Sequence, residues 1–327
     1  MTVVLVTGGA GYIGSQAVLA LLDAGDQPVV LDDLSKGVRE AVPSGTPLIV
    51  GDVGDRTLVT DIIRRHGVGA VMHFAASIIV PESVREPLLY YGNNTCAALG
   101  LVRACVDEGV GPFVFSSTAA VYGAPEATPI AEDAPIAPIN PYGASKAMVE
   151  RMLWDIAAAR PAFRPISLRY FNIAGADPGG RAGKRTRNPT HLIDLAVEAA
   201  LELRPTLEIF GQDYPTRDGT CERDYVHVSD LAQAHVAALR YLETGGAPTA
   251  LNCGYGRGFS VLEVIGRLEA LIGRPLPVRQ AARRAGDPPS LVAQAHRIRQ
   301  LLGWSPAHED LGEILASAMA WRQTLDG

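Results

Sequence analysis

The segment Thr7-Gly8-Gly9-Ala10-Gly11-Tyr12-Ile13-Gly14 constrains this chain more than any other stretch. It follows the apolar run Val3–Val6 directly and opens an amphipathic segment, so a strand hands over to a helix through glycine. Gly8 serves the tight turn, Gly11 lets backbone approach a pyrophosphate, and Gly14 allows close helix–strand packing. The helix N-terminus offers free N–H groups and the positive end of its dipole to an anion, with Tyr12 and Ile13 in its first turn. Asp32 closes the second apolar run 18 residues after Gly14, where an acidic side chain accepts hydrogen bonds from adenosine ribose hydroxyls. A carboxylate there repels a 2′-phosphate, so NAD is expected as cofactor, while Lys36 and Arg39 keep NADP open. The plain alternative is a structural glycine turn with Asp32 capping a loop.

Short apolar runs alternate with amphipathic stretches through the first half. Strands are predicted at Val3–Thr7, Pro28–Asp32, Leu48–Gly51, Ala70–Ala75, Phe113–Ser116 and Ile166–Tyr170. Between them Leu58, Val59, Ile62 and Ile63 recur at helical spacing, as do Leu101, Val102, Cys105 and Val106. Continuous apolar strands separated by helices indicate an α/β, doubly wound parallel sheet of Rossmann type, covered on both faces. Residues 1–172 are read as the dinucleotide-binding domain and 173–327 as a smaller mixed α/β domain for substrate, with part of 225–253 packing back on the first. Ala174 to Thr190, rich in Gly, Pro, Arg and Asp, reads as a long functional loop. Helices are expected at Leu192–Leu203 and Leu231–Leu242, from a Ser260-x-x-Glu263 capping box, and through Leu311 to Trp321.

Composition excludes several classes of function. Of 327 residues 47% are hydrophobic and 20% charged, with a formal net charge of −6, which gives no footprint for nucleic acid or an anionic membrane. The densest basic stretch, Arg181 to Arg187, reads as a solvated loop. Cys96, Cys105, Cys221 and Cys253 form no metal-ligand spacing, so no metal site is expected and they read as reduced, buried thiols. No apolar run approaches the ~18 residues of a membrane span, and Met1 leads into Val3–Val6 without a charged leader, so a cytoplasmic protein is expected.

The chemistry is read from Pro141-Tyr142-Gly143-Ala144-Ser145-Lys146, where Tyr142 and Lys146 stand four apart and share a helix face. A phenol with a pKa near ~10 is a poor base at neutral pH. A neighbouring ammonium and a positively charged nicotinamide both favour phenolate, which would suit Tyr142 to proton transfer. Thr118 follows the strand end Ser116-Ser117, and ligands of doubly wound sheets bind at the carboxyl ends of strands. Thr118 is thus placed either to bond a reacting sugar hydroxyl beside Tyr142 or simply to shape a turn.

Together these features resemble the extended short-chain dehydrogenase/reductase family, and within it the UDP-sugar 4-epimerases, over nearly the whole chain. The segments that carry the resemblance include His73-Phe74-Ala75-Ala76, Pro81-Glu82-Ser83-Val84, Tyr90-Tyr91-Gly92-Asn93-Asn94, Leu168-Arg169-Tyr170-Phe171-Asn172 and Arg223-Asp224-Tyr225-Val226-His227. The resemblance implies interconversion of UDP-glucose and UDP-galactose, with UDP-sugar and NAD as small-molecule partners. Tyr142 would take the proton of the sugar 4-hydroxyl while C4 gives hydride to NAD, and the 4-keto sugar would rotate before receiving it back. Lys146 would hold the nicotinamide ribose. By position Asp33 would join Asp32 at the ribose, Asp52 and Val53 would flank the adenine, and Phe74, Ala75, Ala76, Asn94, Ser116 and Phe171 would line the NAD site. Asn172, Leu192, Phe210, Arg223, Arg284, Asp287 and Leu291 match positions that contact UDP or sugar. Helices near Asn94–Glu108 and Ala147–Ala158 would pair in a homodimer. Ile78 stands where some members carry Lys and His191 where Asn is frequent, which puts one cofactor and one substrate contact in doubt.

Other functions remain open at this stage. A 4-epimerase of another UDP-sugar (N-acetylhexosamine, uronic acid or pentose) shares every motif. A 4,6-dehydratase typically has an Asp-Glu pair after the threonine, whereas Ala119 and Ala120 follow here. An ordinary dehydrogenase would release reduced cofactor. A cofactor-binding sensor or scaffold would share the fold without needing Tyr142 and Lys146.

Overall fold

The computed structural model describes residues 1–185, 189–284 and 287–325. The expected strands form as β1 (Val3–Thr7), β2 (Gln27–Asp32), β3 (Leu48–Val50), β4 (Ala70–His73), β5 (Pro112–Thr118) and β6 (Arg164–Tyr170). A seventh strand, Thr249–Cys253, joins them in one parallel sheet of order (249–253)-β6-β5-β4-β1-β2-β3. The order reverses between β1 and β4, and that reversal opens a crevice at their carboxyl ends.

Both faces of this sheet are buried, which is why its strands read as unbroken apolar runs. Along β1, Val4 and Val6 enter one core and Leu5 the other. The first core is covered by α1 (Tyr12–Asp23) and the helix Val228–Glu243, the second by α2 (Arg56–His66) and the helices Ala97–Asp107 and Pro141–Ala159. Asp55 caps α2 by accepting from the Leu58 N–H, and Gly67 ends it in the left-handed conformation at φ +64°.

A third core gathers Leu192–Ala200, Val261–Ile272 and Leu311–Thr324 around Leu207 and Ile209. The Ser260–Glu263 capping box is present with both of its reciprocal bonds. The helix expected to reach Leu203 stops at Ala200, because Glu202 turns left-handed at φ +62° and the chain bends toward Pro205. The strand expected to reach Ala75 stops at His73: the N–H groups of Phe74 and Ala75 both turn to the Thr7 carbonyl, at 2.9 and 3.1 Å.

Two further expectations are corrected. Cys105, Cys221 and Cys253 are buried free thiols, whereas Cys96 is exposed at the end of a π-helical turn, Tyr91–Cys96. The basic stretch expected as a solvated loop, Arg181 to Arg187, is not simply solvated where it is described. Arg181 pairs with Asp177 and with Asp23 of α1, Lys184 pairs with Asp194, and Gln16 of α1 donates to the Ala182 carbonyl (2.8 Å). Arg187 lies outside the described residues. Among the described residues no helix is long and apolar enough to cross a membrane.

Candidate active site

The glycine turn sits at the mouth of the crevice. Gly8 has φ +73°, and a Cβ there would lie 2.6 Å from the Ala75 nitrogen, so the turn and the end of β4 touch backbone to backbone. At Gly14 a Cβ would lie 2.1 Å from the Gly8 carbonyl oxygen, which fixes how closely α1 approaches β1. Gly11 is the N-cap of α1 and caps it with no side chain, so the first-turn N–H groups of Tyr12 and Ile13 face outward for an anion.

Asp32 is buried, and its two oxygens accept from the Ala10 and Leu34 N–H groups, both at 2.9 Å. Burial raises its pKa despite these donors. It therefore ties the glycine turn to the end of β2, and each oxygen keeps a lone pair for a hydroxyl donor. Asp33, which is exposed, bonds Ser35, and Asp52 accepts from the Gly54 N–H (2.7 Å) beside buried Val53. These residues stand at the ends of neighbouring strands β2 and β3.

Strand register carries the crevice toward the chemistry. Thr7 pairs with His73, and His73 with Phe115, so Gly8, Phe74 and Ser116 emerge side by side at the sheet's carboxyl edge. Beneath them the His73 ring, 2.7 Å from the Thr7 hydroxyl and stacked on Phe115, has its pKa driven down to about 3 by burial and then by Lys146.

Asn140 caps the helix Pro141–Ala159 by accepting from the Gly143 N–H at 2.9 Å, and Pro141 fits its first position. Lys146, one turn in, is buried and donates to the Ser116 carbonyl (2.9 Å), its single hydrogen-bond partner among the described residues. Burial lowers its pKa to about 7. The Thr118 hydroxyl accepts from the Ala120 N–H at 3.1 Å, which is its turn role, and it also faces the Tyr142 phenol, where it favours the phenolate. The phenol's pKa is pushed up by burial, with the Thr118 bond acting the other way. The sequence expectation of a phenol made acidic by its neighbour is thus not met by protein groups alone. A cationic ring bound beside it would supply the missing stabilisation of phenolate.

Asn94, expected to line the NAD site, is buried: it accepts from the Ser77 N–H (2.8 Å) and donates to the Ser77 carbonyl and the Ser145 hydroxyl, both 3.0 Å. Two supporting residues were given no role by the sequence. Tyr90 meets Tyr142 edge-on at 6.4 Å. Asp224, fully buried, gathers the N–H groups of Tyr255, Gly256 and Ala293, and burial pushes its pKa up to about 6. Their only sequence signal was the clustering of polar residues inside apolar segments.

The residues expected at the sugar nucleotide fall into groups. Arg223 and Leu291 pair across two short parallel strands, and Arg223 donates to the Pro288 carbonyl (2.9 Å) with Asp287 3.7 Å away. Arg284 lies 3.8 Å over the Phe210 ring. Leu291 is half-buried against the apolar cluster of Ala119, Tyr122 and Phe171, in which Ala119 directly follows Thr118. Asn172 starts a strand paired with Tyr225, its N–H donating to the Asp224 carbonyl (2.9 Å). Leu192 packs into the third core, Ile78 is exposed, and His191 caps its helix without a side-chain bond.

Glycine cradle, helix N-terminus, buried carboxylate at the end of β2 and Tyr-Lys pair define a dinucleotide-dependent enzyme acting at the carboxyl edge of a doubly wound sheet. The residues fit NAD: the cradle leaves no room for side chains at Gly8 and Gly14, and Lys146 keeps free N–H donors beside it. The chain belongs to the NAD dependent epimerase/dehydratase family, which it matches over residues 4–254. It is 58% identical over 323 residues to a UDP-glucose 4-epimerase of Azospirillum brasilense, covering 99% of this chain and 92% of that one. Its fold superposes with TM-score 0.97 and 37% identity, over 100% and 99% of the two chains, on a Stenotrophomonas maltophila UDP-glucose-4-epimerase with bound NAD and formylated UDP-arabinopyranose. A Campylobacter jejuni UDP-Glc/GlcNAc 4-epimerase gives 0.87 and 44%, over 99% and 100%.

Proposed function

We propose that the chain is a cytoplasmic, NAD-dependent 4-epimerase that interconverts UDP-glucose and UDP-galactose. The observation that carries this reading is the convergence of Tyr142, Thr118 and Lys146 at the carboxyl end of β5, beside the glycine turn. Tyr142 Oη takes the proton of the sugar 4-hydroxyl, with Thr118 holding phenol and hydroxyl in line. The transient 4-keto sugar then turns over, and Tyr142 returns the same proton, so no net proton is consumed. Bound NAD supplies a reversible hydride acceptor at the sugar C4. Lys146 fixes the cofactor ribose and, while protonated, favours the phenolate. Arg223 and Arg284 are suited to a diphosphate, since a guanidinium donates two parallel hydrogen bonds.

A panel of UDP-sugars assayed with wild type and Tyr142→Phe tests this. Wild type should interconvert the glucose and galactose forms without net absorbance change at 340 nm. Tyr142→Phe should stay folded and NAD-loaded and lose roughly 10²–10⁴-fold in turnover, the scale of a lost acid–base group. Steady accumulation of reduced cofactor, or near-normal turnover by the variant, sinks the proposal.

A further inference from the structure

Tyr142, Lys146 and Glu150 stand at four-residue intervals on the helix Pro141–Ala159, so they form one stripe along it. Three consecutive residues of β5 each meet one member of that stripe. The Ser116 carbonyl accepts from Lys146 and the Ser117 hydroxyl donates to Glu150 Oε1 at 2.5 Å, while Thr118 faces Tyr142. Glu150 is buried, with a side chain only 4% exposed, and it meets an equally buried Arg169 on β6. Arg169 Nη2 and Nε donate to the carboxylate at 2.6 and 3.0 Å, and Nη1 donates to the Tyr122 Oη (2.8 Å) and the Glu132 carbonyl (3.0 Å). Tyr122 in turn donates to Asn252 on the seventh strand (2.7 Å). The guanidinium, carried by β6, thus ties directly to the helix, the 119–122 turn and the Glu132 backbone, and reaches β5 through Glu150 and the edge strand through Tyr122.

A buried ion pair is a poor device for stability alone, because apolar side chains of like volume commonly serve as well. Its directional bonds do something apolar packing cannot: they set how far the helix is rotated about its axis against β5. Resting on the reading of Tyr142 as proton carrier, we propose that Glu150 and Arg169 are positioning residues for the epimerisation. They hold the helix in the rotation that aims Tyr142 at Thr118 and Lys146 at the cofactor edge of β5. Neither touches the reacting atoms.

The double variant Glu150→Leu/Arg169→Met removes the tether without leaving a lone buried charge. It is compared with wild type, Tyr142→Phe and Glu150→Gln by steady-state kinetics on the NAD-loaded protein. We expect kcat to fall at least tenfold with KM for the UDP-sugar within twofold. Glu150→Gln, which keeps an oxygen for Ser117, should retain more turnover than the double variant. A folded double variant with kcat within twofold of wild type, while Tyr142→Phe is inactive, overturns the positioning role and leaves the catalytic reading standing. Activity in Tyr142→Phe would instead strike the catalytic reading itself. Should the double variant fail to fold, Ser117→Ala decides the matter. It cuts the same tether with one buried hydroxyl, and an unchanged kcat there also overturns the proposal.

Discussion

Placing a methyl group at Gly14 tests whether the glycine turn works as the geometry says. The added Cβ would lie 2.1 Å from the Gly8 carbonyl oxygen and 2.8 Å from Gly9 Cα, so α1 must retreat by about 1 Å to reach ordinary contact. The helix cannot retreat freely, because Ala17, Val18 and Leu21 are buried to their full extent against the sheet in a close-packed core. Overpacking costs about 1–3 kcal/mol, and an obstacle made of backbone belongs at the upper end. Alanine returns ~1 kcal/mol through helix propensity, leaving a net loss of about 2 kcal/mol. For a chain of 327 residues that is a fall in Tm of about 3 °C.

Gly11→Ala is the matched control. Its backbone is extended (φ −82°, ψ 177°) and its Cβ meets only the Gly8 oxygen, at 3.2 Å, so the fold should lose no more than about 1 kcal/mol. Its methyl, however, would stand where a pyrophosphate approaches the helix end. Calorimetry on NAD-stripped protein, paired with NAD released by acid per chain, separates the two effects. Gly14→Ala should lose both Tm and NAD, and Gly11→Ala mainly NAD. A Gly14→Ala protein as stable as wild type, or a Gly11→Ala protein with full NAD content, would refute the reasoning.

Three further outcomes are expected. His73, His227 and His235 are buried, with pKa values lowered to about 3, 4 and 4, so the folded chain binds fewer protons than the unfolded one below pH ~6.5. Stability should therefore fall as pH drops from about 6.5 toward 4, by on the order of 1–2 kcal/mol per histidine at pH 5, partly offset by Asp224, whose raised pKa acts in the opposite sense. Urea midpoints that stay flat from pH 7 to pH 5 would contradict this. Leu291→Tyr should narrow the half-buried apolar pocket beside Ala119 and Phe171, lowering kcat/KM for UDP-N-acetyl sugars at least tenfold relative to UDP-glucose; an unchanged ratio means Leu291 is no gate. Exposed Leu99 and Met148 lie on the two helices expected to pair about a twofold axis, so sedimentation at micromolar concentration should give a homodimer, and monomer alone would refute the pairing.

What the sequence made legible follows from burial. Strands β1, β2, β4, β5 and β6 stand out because burial on both faces of the sheet favours apolar residues on both sides of each strand. Thr249–Cys253 escaped the strand reading because its five residues include Asn252, a polar group bonded to Tyr122 and Ile130 rather than to water. Tyr142 and Lys146 declared themselves through helical spacing, and Glu150 continued that spacing unnoticed because a charged residue reads as surface. The direction of the phenol's pKa depends on how much solvent reaches it, which only packing decides.

The late return of the chain to its first sheet makes this molecule indivisible in an unusual way. A cut after Asn172 would strip away the helix Val228–Glu243 and the strand Thr249–Cys253, leaving β6 as a bare edge and Ile166 and Leu168 without their cover. During synthesis that edge stays open until residue 253 has emerged, so segment 173–227 must come out before the seven-stranded sheet can close. Exchange of the second lobe between relatives, by engineering or by recombination, accordingly requires three crossovers: one after the sixth strand and one on each side of the returning helix and strand.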